Sequence, residues 1–438
     1  MTDTGATLVR GATILTMDPV IGDFDRADLL IEGSRISAVA PAIPIDPDAE
    51  VDVIDADGRI VIPGFVDTHR HLWEVLVRGG GPHHTLEQYY TDVLGHVGSQ
   101  VTPEDVHLGT KASALSALLA GITTLQDTAN IQLTPAHTDA AIAALRETGV
   151  RAVFCYGNPY PVMARYGAGL GDDVRRIRSE LLPDDDADVT MALLTEWGDD
   201  DAERRNAWLA RDLGVRTARH VGASTPLSRL RDLGVLQSGT TFIHGNGLPP
   251  DELELIADSG GTLSVAPAIE LLMGHGIPML GRTPPAVPLS LSTSAEVTVA
   301  SDFFTQMRAA LQTGRTFGRG ADSGRELTVT DVLGLATRDG AAALGLDTRT
   351  GTLTPGKDAD LIILRADDLD VTPVHDPAST VVLQMDRRHI DAVFRAGRAV
   401  VRDGAAVESR PELVKALQVA AARLGPVPRT SASQQRRS

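Results

Sequence analysis

The sequence predicts a (β/α)8 barrel joined to a small β-sandwich assembled from both ends of the chain. Three observations carry this. Eight apolar strand-like runs alternate with helical runs between residues 61 and 294. Alternation of that kind implies a parallel sheet, and eight units are enough to close it into a barrel. Segments of alternating apolar and polar residues flank this stretch on both sides, the texture of antiparallel sheet. The length, 438 residues, suits a large barrel with a second module.

The elements follow in order. Residues 7–62 read as short strands, LVRGATILTM, DLLIEGSRISAVA and AEVDVIDADGRIVI, punctuated by Gly and Asp. The barrel strands are expected at 61–66, 121–127, 150–157, 188–197, 215–222, 240–247, 262–267 and 287–294. The run 102–120 shows how an intervening helix is specified. Thr102 can cap it, Pro103 suits the first helical position, and Gly121 ends it. Leu108, Ala112, Leu115 and Leu119 share one face, expected to pack on the barrel. Antiparallel texture returns in GTLTPGKDADLIILRA, TVVLQM and IDAVFRAGRAVVRDG. The expected division is therefore a composite sandwich at 1–62 and 351–410, a barrel at 63–350, and a C-terminal helix and tail at 411–438. After Gly425 the composition PVPRTSASQQRRS predicts disorder.

Composition narrows the function classes. The formal net charge of −18 argues against a nucleic-acid or anionic-membrane surface. No run approaches the about 20 apolar residues of a membrane span, and the N-terminus lacks the pattern of a signal peptide. One cysteine, Cys155, permits no internal disulfide, which fits a reducing, cytoplasmic compartment. Only three lysines occur (Lys111, Lys357, Lys415). Low lysine with abundant arginine, alanine and aspartate fits a bacterial source.

The strongest chemical signal is PGFVDTHRHLWE at 63–74. His69 and His71 sit two apart just beyond an apolar strand. In extended chain such residues point to one side. Both imidazoles then project at the C-terminal mouth of the barrel, where this fold places its chemistry, and Arg70 points away. Imidazole suits zinc, iron and similar divalent ions.

With ALLAGITTLQD at 117–127, HGNGLPPDELELIADSG at 244–260 and ATRDGAAALGLDTRTGTLTPGKDADLIIL at 336–364, the motif resembles the amidohydrolase superfamily, in its chlorohydrolase and cytosine/guanine-deaminase-like branch. The resemblance covers roughly residues 7–405. It implies one divalent metal ion, zinc or iron, held by His69 and His71 with His220 and His244 from the fifth and sixth strands. Binuclear branches commonly use a carboxylated lysine on strand 4. No lysine lies between Lys111 and Lys357, so that site cannot form.

Two positions depart from the family pattern. Ala223 stands where the resemblance implies a proton-shuttling Glu, three residues after His220. Ser294 stands where it implies a metal-binding Asp at the end of strand 8. A hydroxyl is a poor base near neutral pH. Glu270 and His275, in the loop after strand 7, are the expected replacements, with Ser294 beside them as a catalytic candidate. Glu296 shares the face of Ser294 if the chain stays extended, and Glu196 ends strand 4. Both are substrate-binding candidates. So are Trp73, His83 and Tyr89, in the stretch after strand 1 that also holds His84 and Tyr90. Asp127 is expected to make a supporting hydrogen bond, and Asp302 to start a helix.

The leading reading is a metal-dependent hydrolase or deaminase acting on a carbon–nitrogen bond of a small cyclic molecule, with homo-oligomers expected from the resemblance. Two readings compete. One is a lyase, cyclase or isomerase on the same scaffold that binds metal weakly or not at all and uses the histidines as acid, base or orienting groups. The other is a non-catalytic binding protein on the same scaffold.

Overall fold

The computed structural model describes residues 5–196, 198–300, 302–318 and 326–430. Five strands come first: β1 (Ala6–Ile14), β2 (Phe24–Glu32), β3 (Arg35–Ala40), β4 (Val51–Asp55) and β5 (Arg59–Pro63). Eight barrel strands follow: β6 (Phe65–Arg70), β7 (Ile122–Ala129), β8 (Arg151–Tyr156), β9 (Val189–Leu194), β10 (Arg216–Val221), β11 (Thr241–His244), β12 (Thr262–Val265) and β13 (Leu289–Leu291). The chain then returns to β14 (Leu361–Arg365), β15 (Ile390–Arg395), β16 (Arg398–Arg402) and β17 (Ala405–Ala406). No helix among the described residues is long and apolar enough to cross a membrane.

Strands β6 to β13 pair in parallel and in sequence order. The barrel closes where Ser294 N donates to His69 O and His71 N donates to Ser294 O, each at 2.9 Å. Asp67 reinforces this seam. Its carboxylate accepts from Thr293 N at 3.0 Å and from the Thr293 hydroxyl. The closing hydrogen bonds thus run through the backbone of the HxH pair itself. Below the mouth the barrel is filled by small and branched side chains, among them Val66, Cys155, Leu194, Ala218 and Ile243. Burying them removes apolar surface from water, and close packing keeps the strand ends rigid.

The second sheet is mixed and runs β17-β16-β15-β14-β5-β1-β2-β3, with β4 beside β1. Strands from both chain ends meet at the antiparallel pairing of β5 with β14. The sheet is continuous and encloses its own core of Val9, Leu29, Ile31, Leu361 and Phe394. Buried Arg151, at the base of β8, ties it to the barrel through Asp358 at 2.5 Å and through Asp360.

The helix Pro103–Leu118 begins with the expected cap: Thr102 Oγ1 accepts from Asp105 N at 3.3 Å, and Asp105 returns the bond to Thr102 N at 2.8 Å. Its barrel-facing side is Val106, Thr110, Ser113, Ala114 and Ala117. Ala112, Leu115 and Leu119 instead face a cleft whose other wall is the helix Pro411–Leu424. The helix is covered on two sides, so its apolar stripe does not identify the barrel face.

The expected disorder after Gly425 does not hold for residues 426–430. Thr430 N donates to Asp92 Oδ2 at 2.9 Å, Gln88 Nε2 donates to Thr430 O at 2.9 Å, and His84 Nε2 bonds Pro428 O at 2.9 Å. Polar composition predicts disorder only where no partner surface supplies hydrogen bonds, and residues 84–92 supply it. Residues 431–438 and Trp197 lie outside the described residues.

Candidate metal centre and active site

Four imidazoles converge at the mouth of the barrel. Ring centroids of His69 lie 4.8 Å from those of His71 and His220 and 5.6 Å from that of His244. Ligand nitrogens of His69, His71 and His220 all lie within 4.8 Å of one another. That compact set does not include His244, whose ring is 5.5 Å from that of His220.

Each ring is held by its Nδ1. Thr128, near the end of β7, serves two of them: its hydroxyl bonds His69 Nδ1 and its carbonyl accepts from His71 Nδ1, both at 2.8 Å. Glu196, just past β9, accepts from His220 Nδ1 and from His220 N at 3.1 Å. Glu270 Oε1 meets His244 Nδ1 at 3.0 Å. With the Nδ1 atoms engaged, the Nε2 atoms are left as donors to the centre, and such outer partners fix the tautomer and orientation of metal-binding histidines. Burial, with neighbouring imidazoles adding to it, holds His69 well below its ordinary pKa and His71 at about 3. His69 and His71 are therefore neutral, the form that binds metal. Glu196 stays ionised, because His220 outweighs the upward push of burial. Nitrogen-rich, largely buried and backed by a carboxylate, this donor set fits a divalent ion such as zinc.

The cavity beside the histidines has a volume of about 320 Å³, within the range typical of small-molecule sites. Tyr89, Tyr90 and Tyr160 form an aromatic wall with Leu86 and Met163. Tyr90 and Tyr160 stack at 5.7 Å and 26°. His275, Ser294, Ala223 and Asn246 also line the cavity. Ser294 Oγ is 3.4 Å from His69 Nε2. Among the described lining residues Glu196 is the sole carboxylate. His244 and Ser294 carry backbone φ of 72° and 59°, left-handed values that cost energy outside glycine and recur at functional sites.

Several predicted site residues stand elsewhere. Glu270 is fully buried behind His244, where it also accepts from Ala266 N at 2.8 Å and Asn246 Nδ2 at 3.1 Å. Burial pushes its carboxyl up to about 7, and it reaches the cavity only through His244 and Asn246. Glu296 is buried against Arg70 and Arg78, away from the cavity. The left-handed turn at Ser294 breaks the alternation that would have put both residues on one face. Arg70 points away from the imidazoles as expected, toward Ser113 Oγ at 3.1 Å and Glu296. Trp73 is core, with Nε1 donating to Asn130 Oδ1 at 3.1 Å. His83 is exposed outside the cavity. Asp127 accepts from Leu72 N at 3.2 Å, a supporting bond. Asp302 accepts from Thr305 N at 2.9 Å at a helix start. Thr128, Tyr160 and Asn246 went unnoticed in the sequence. The signals were there for two of them: Thr128 follows Asp127 on the strand, and Asn246 is two residues past His244.

Residues 60–400 match the model of the amidohydrolase family. The chain belongs to that family. An amidohydrolase of this kind hydrolyses a non-peptide carbon–nitrogen bond of a small molecule. It is 26% identical to the 5-methylthioadenosine/S-adenosylhomocysteine deaminase of Natronomonas pharaonis, over 91% of each chain. It is also 26% identical to the 5'-deoxyadenosine deaminase of Methanothermobacter thermautotrophicus, over 92% of this amidohydrolase and 94% of that enzyme. Two solved structures share the fold. An adenosine deaminase from Xanthomonas campestris with bound zinc superposes with a TM-score of 0.84 at 22% identity, covering 95% of this chain and 98% of its own. A mutant of atrazine chlorohydrolase TrzN from Arthrobacter aurescens, complexed with zinc and atraton, gives 0.83 at 23% identity, covering 95% and 100%.

Proposed function

We propose that this amidohydrolase uses water to displace an amino group from a nitrogen heteroaromatic ring, with an adenine-type ring as the leading candidate. The observation that carries the reading is the set of three tied-back imidazoles, two of which, His71 and His220, open on an aromatic-walled cavity. His69, His71 and His220 would hold one zinc ion. When bound, such an ion activates water and polarises the group under attack. Water attacks the ring carbon, the carbon–nitrogen bond breaks, and ammonia leaves as a ring carbonyl forms.

One proton of the attacking water must reach the departing nitrogen, and the other ends on the ring nitrogen beside the new carbonyl. His244 is the carrier in this reading, because Glu270 at its Nδ1 repeats the base-and-orienter arrangement of catalytic dyads. Glu270 is thus a positioning residue acting through His244. His275, whose ring lies 4.6 Å from that of His244, stands beside it on the cavity wall. Ser294, beside His69, helps to place the water. Tyr89, Tyr90 and Tyr160 wall in the ring. The apolar and aromatic wall favours a small molecule over a macromolecule. Its single cysteine fits a cytoplasmic enzyme, and we read it as a homodimer.

The test is direct. Measure metal in the purified protein, then ammonia release from adenine nucleosides with and without a chelator. A stoichiometric divalent ion and chelator-sensitive release are expected. A metal-free protein whose turnover ignores chelators overturns the reading.

A further inference from the structure

Several polar groups of the cavity wall are already committed to protein partners. Glu196 accepts from His220, and the Tyr89 hydroxyl donates to Glu74. Asn246 donates its amide hydrogens to Glu270 Oε2 at 3.1 Å and Ile277 O at 3.0 Å. Asn130 differs. It follows β7 directly and lines the cavity, yet it is nine-tenths buried. Trp73 Nε1 donates to its Oδ1 at 3.1 Å. An indole nitrogen is a donor only, so the oxygen end of the amide faces Trp73 and the NH2 end is turned from it. That Nδ2 has no partner among the described residues and is not sealed from the cavity.

The backbone of Asn130 is fixed as well. Asn130 N donates to Thr128 O at 3.0 Å, the carbonyl that also holds His71 Nδ1 at 2.8 Å. Trp73 lies two residues past His71, in the core. The amide donor therefore belongs to the same rigid frame as the metal centre and is oriented before any ligand arrives. A largely buried donor without a partner is unfavourable, so an acceptor brought by a ligand gains more there than at an exposed group. Ser224 also lines the cavity, but it is exposed, where water serves its hydroxyl.

We infer that Asn130 binds the substrate: its Nδ2 donates a hydrogen bond to a neutral acceptor, a nitrogen of the heteroaromatic ring or a hydroxyl of its substituent, and sets the ring's register against the metal centre. This rests on the proposed function above and adds a residue to it.

The experiment compares wild type, Asn130→Asp and Asn130→Ala as metal-loaded full chains. Asp keeps an oxygen for Trp73 and loses the donor, whereas Ala loses both. The KM for adenosine is expected to rise about five-fold or more in both variants, at unchanged metal content. Analogues then locate the acceptor. The 1-, 3- and 7-deazaadenosines each lack one ring nitrogen, and 2'-, 3'- and 5'-deoxyadenosine each lack one hydroxyl. Wild type should bind one of them more weakly than adenosine by a similar factor, and the variants should not distinguish that one from adenosine. A smaller rise in Asn130→Asp overturns the inference; with a loss in Asn130→Ala it leaves Asn130 as a support for Trp73 alone. A rise that tracks lost metal, or independent losses for every analogue, also overturns it. If no purine is turned over, the proposed reaction falls, and protection against thermal unfolding decides this inference by itself. Protection of wild type by adenosine or atrazine that Asn130→Asp weakens supports it. Equal protection of the two, or none of wild type, overturns it.

Discussion

Replacing Glu196 by Gln isolates the contribution of one carboxylate to the metal centre. Glu196 accepts two hydrogen bonds from His220, one from the ring Nδ1 and one from the backbone N at 3.1 Å. The amide keeps an acceptor oxygen for both, so the ring orientation survives. It loses the negative charge that strengthens the ring bond and makes Nε2 a better donor. Removing such a partner costs about 10–100-fold in metal affinity, or about 1.4–2.7 kcal/mol. Glu196→Gln should sit near the lower end and Glu196→Ala, which also frees the ring, near the upper end. The assay is zinc titration against a competing chelator of known affinity, with wild type and both variants at one pH. Wild-type affinity in both variants would refute the assignment of His220 as a ligand oriented by Glu196. Equal losses in Gln and Ala would show that charge, and not orientation, is the operative factor.

Four further outcomes are expected. Glu296→Ala leaves buried Arg70 without its principal partner and should lower unfolding stability by about 3–5 kcal/mol in urea, with KM unchanged in the folded enzyme. A change in KM without loss of stability would return Glu296 to the substrate site. Ser294→Asp supplies a carboxylate at a φ of 59° that Asp tolerates better than most residues, so the chelator titration should show tighter zinc binding. Ending the chain at Gly425 removes the bonds from residues 428 and 430 to His84, Gln88 and Asp92. At about 0.5–1.5 kcal/mol each, their loss should speed amide exchange across residues 84–97, read by mass spectrometry. Finally, burial pushes Glu74 up to about 8. Its folded pKa lies above the unfolded value, so the unfolded chain ionises first as pH rises. The stability tied to its protonated form is full below about 4.5 and disappears between there and about 8. Glu74→Gln should abolish that decline in a pH series of urea melts.

Several features were legible because local rules fix them. The alternation of eight apolar runs with helices, the cap at Thr102, and the histidine pair beyond a strand each depend on residues close in sequence. Ligands from distant strands were legible only through family resemblance, since nothing near His220 or His244 distinguishes a ligand from a structural histidine. The misplaced residues share another cause. Glu296 was assigned by strand alternation, which Ser294 interrupts. Trp73 and His83 were assigned by proximity to the first strand, yet the turn after it sends one into the core and the other to the surface.

The sequence by itself determined the barrel, the second sheet drawn from both ends, and the strand ends where the imidazoles stand. Those follow from periodicity and composition, which act over a few residues. Only the tertiary structure decided which carboxylates serve the histidines. Glu196 and Glu270 each lie more than twenty residues from the histidine they hold. They meet because neighbouring parallel strands end side by side at one face. Hydrogen bonding falls off within ångströms of space, and sequence separation carries no information about that distance.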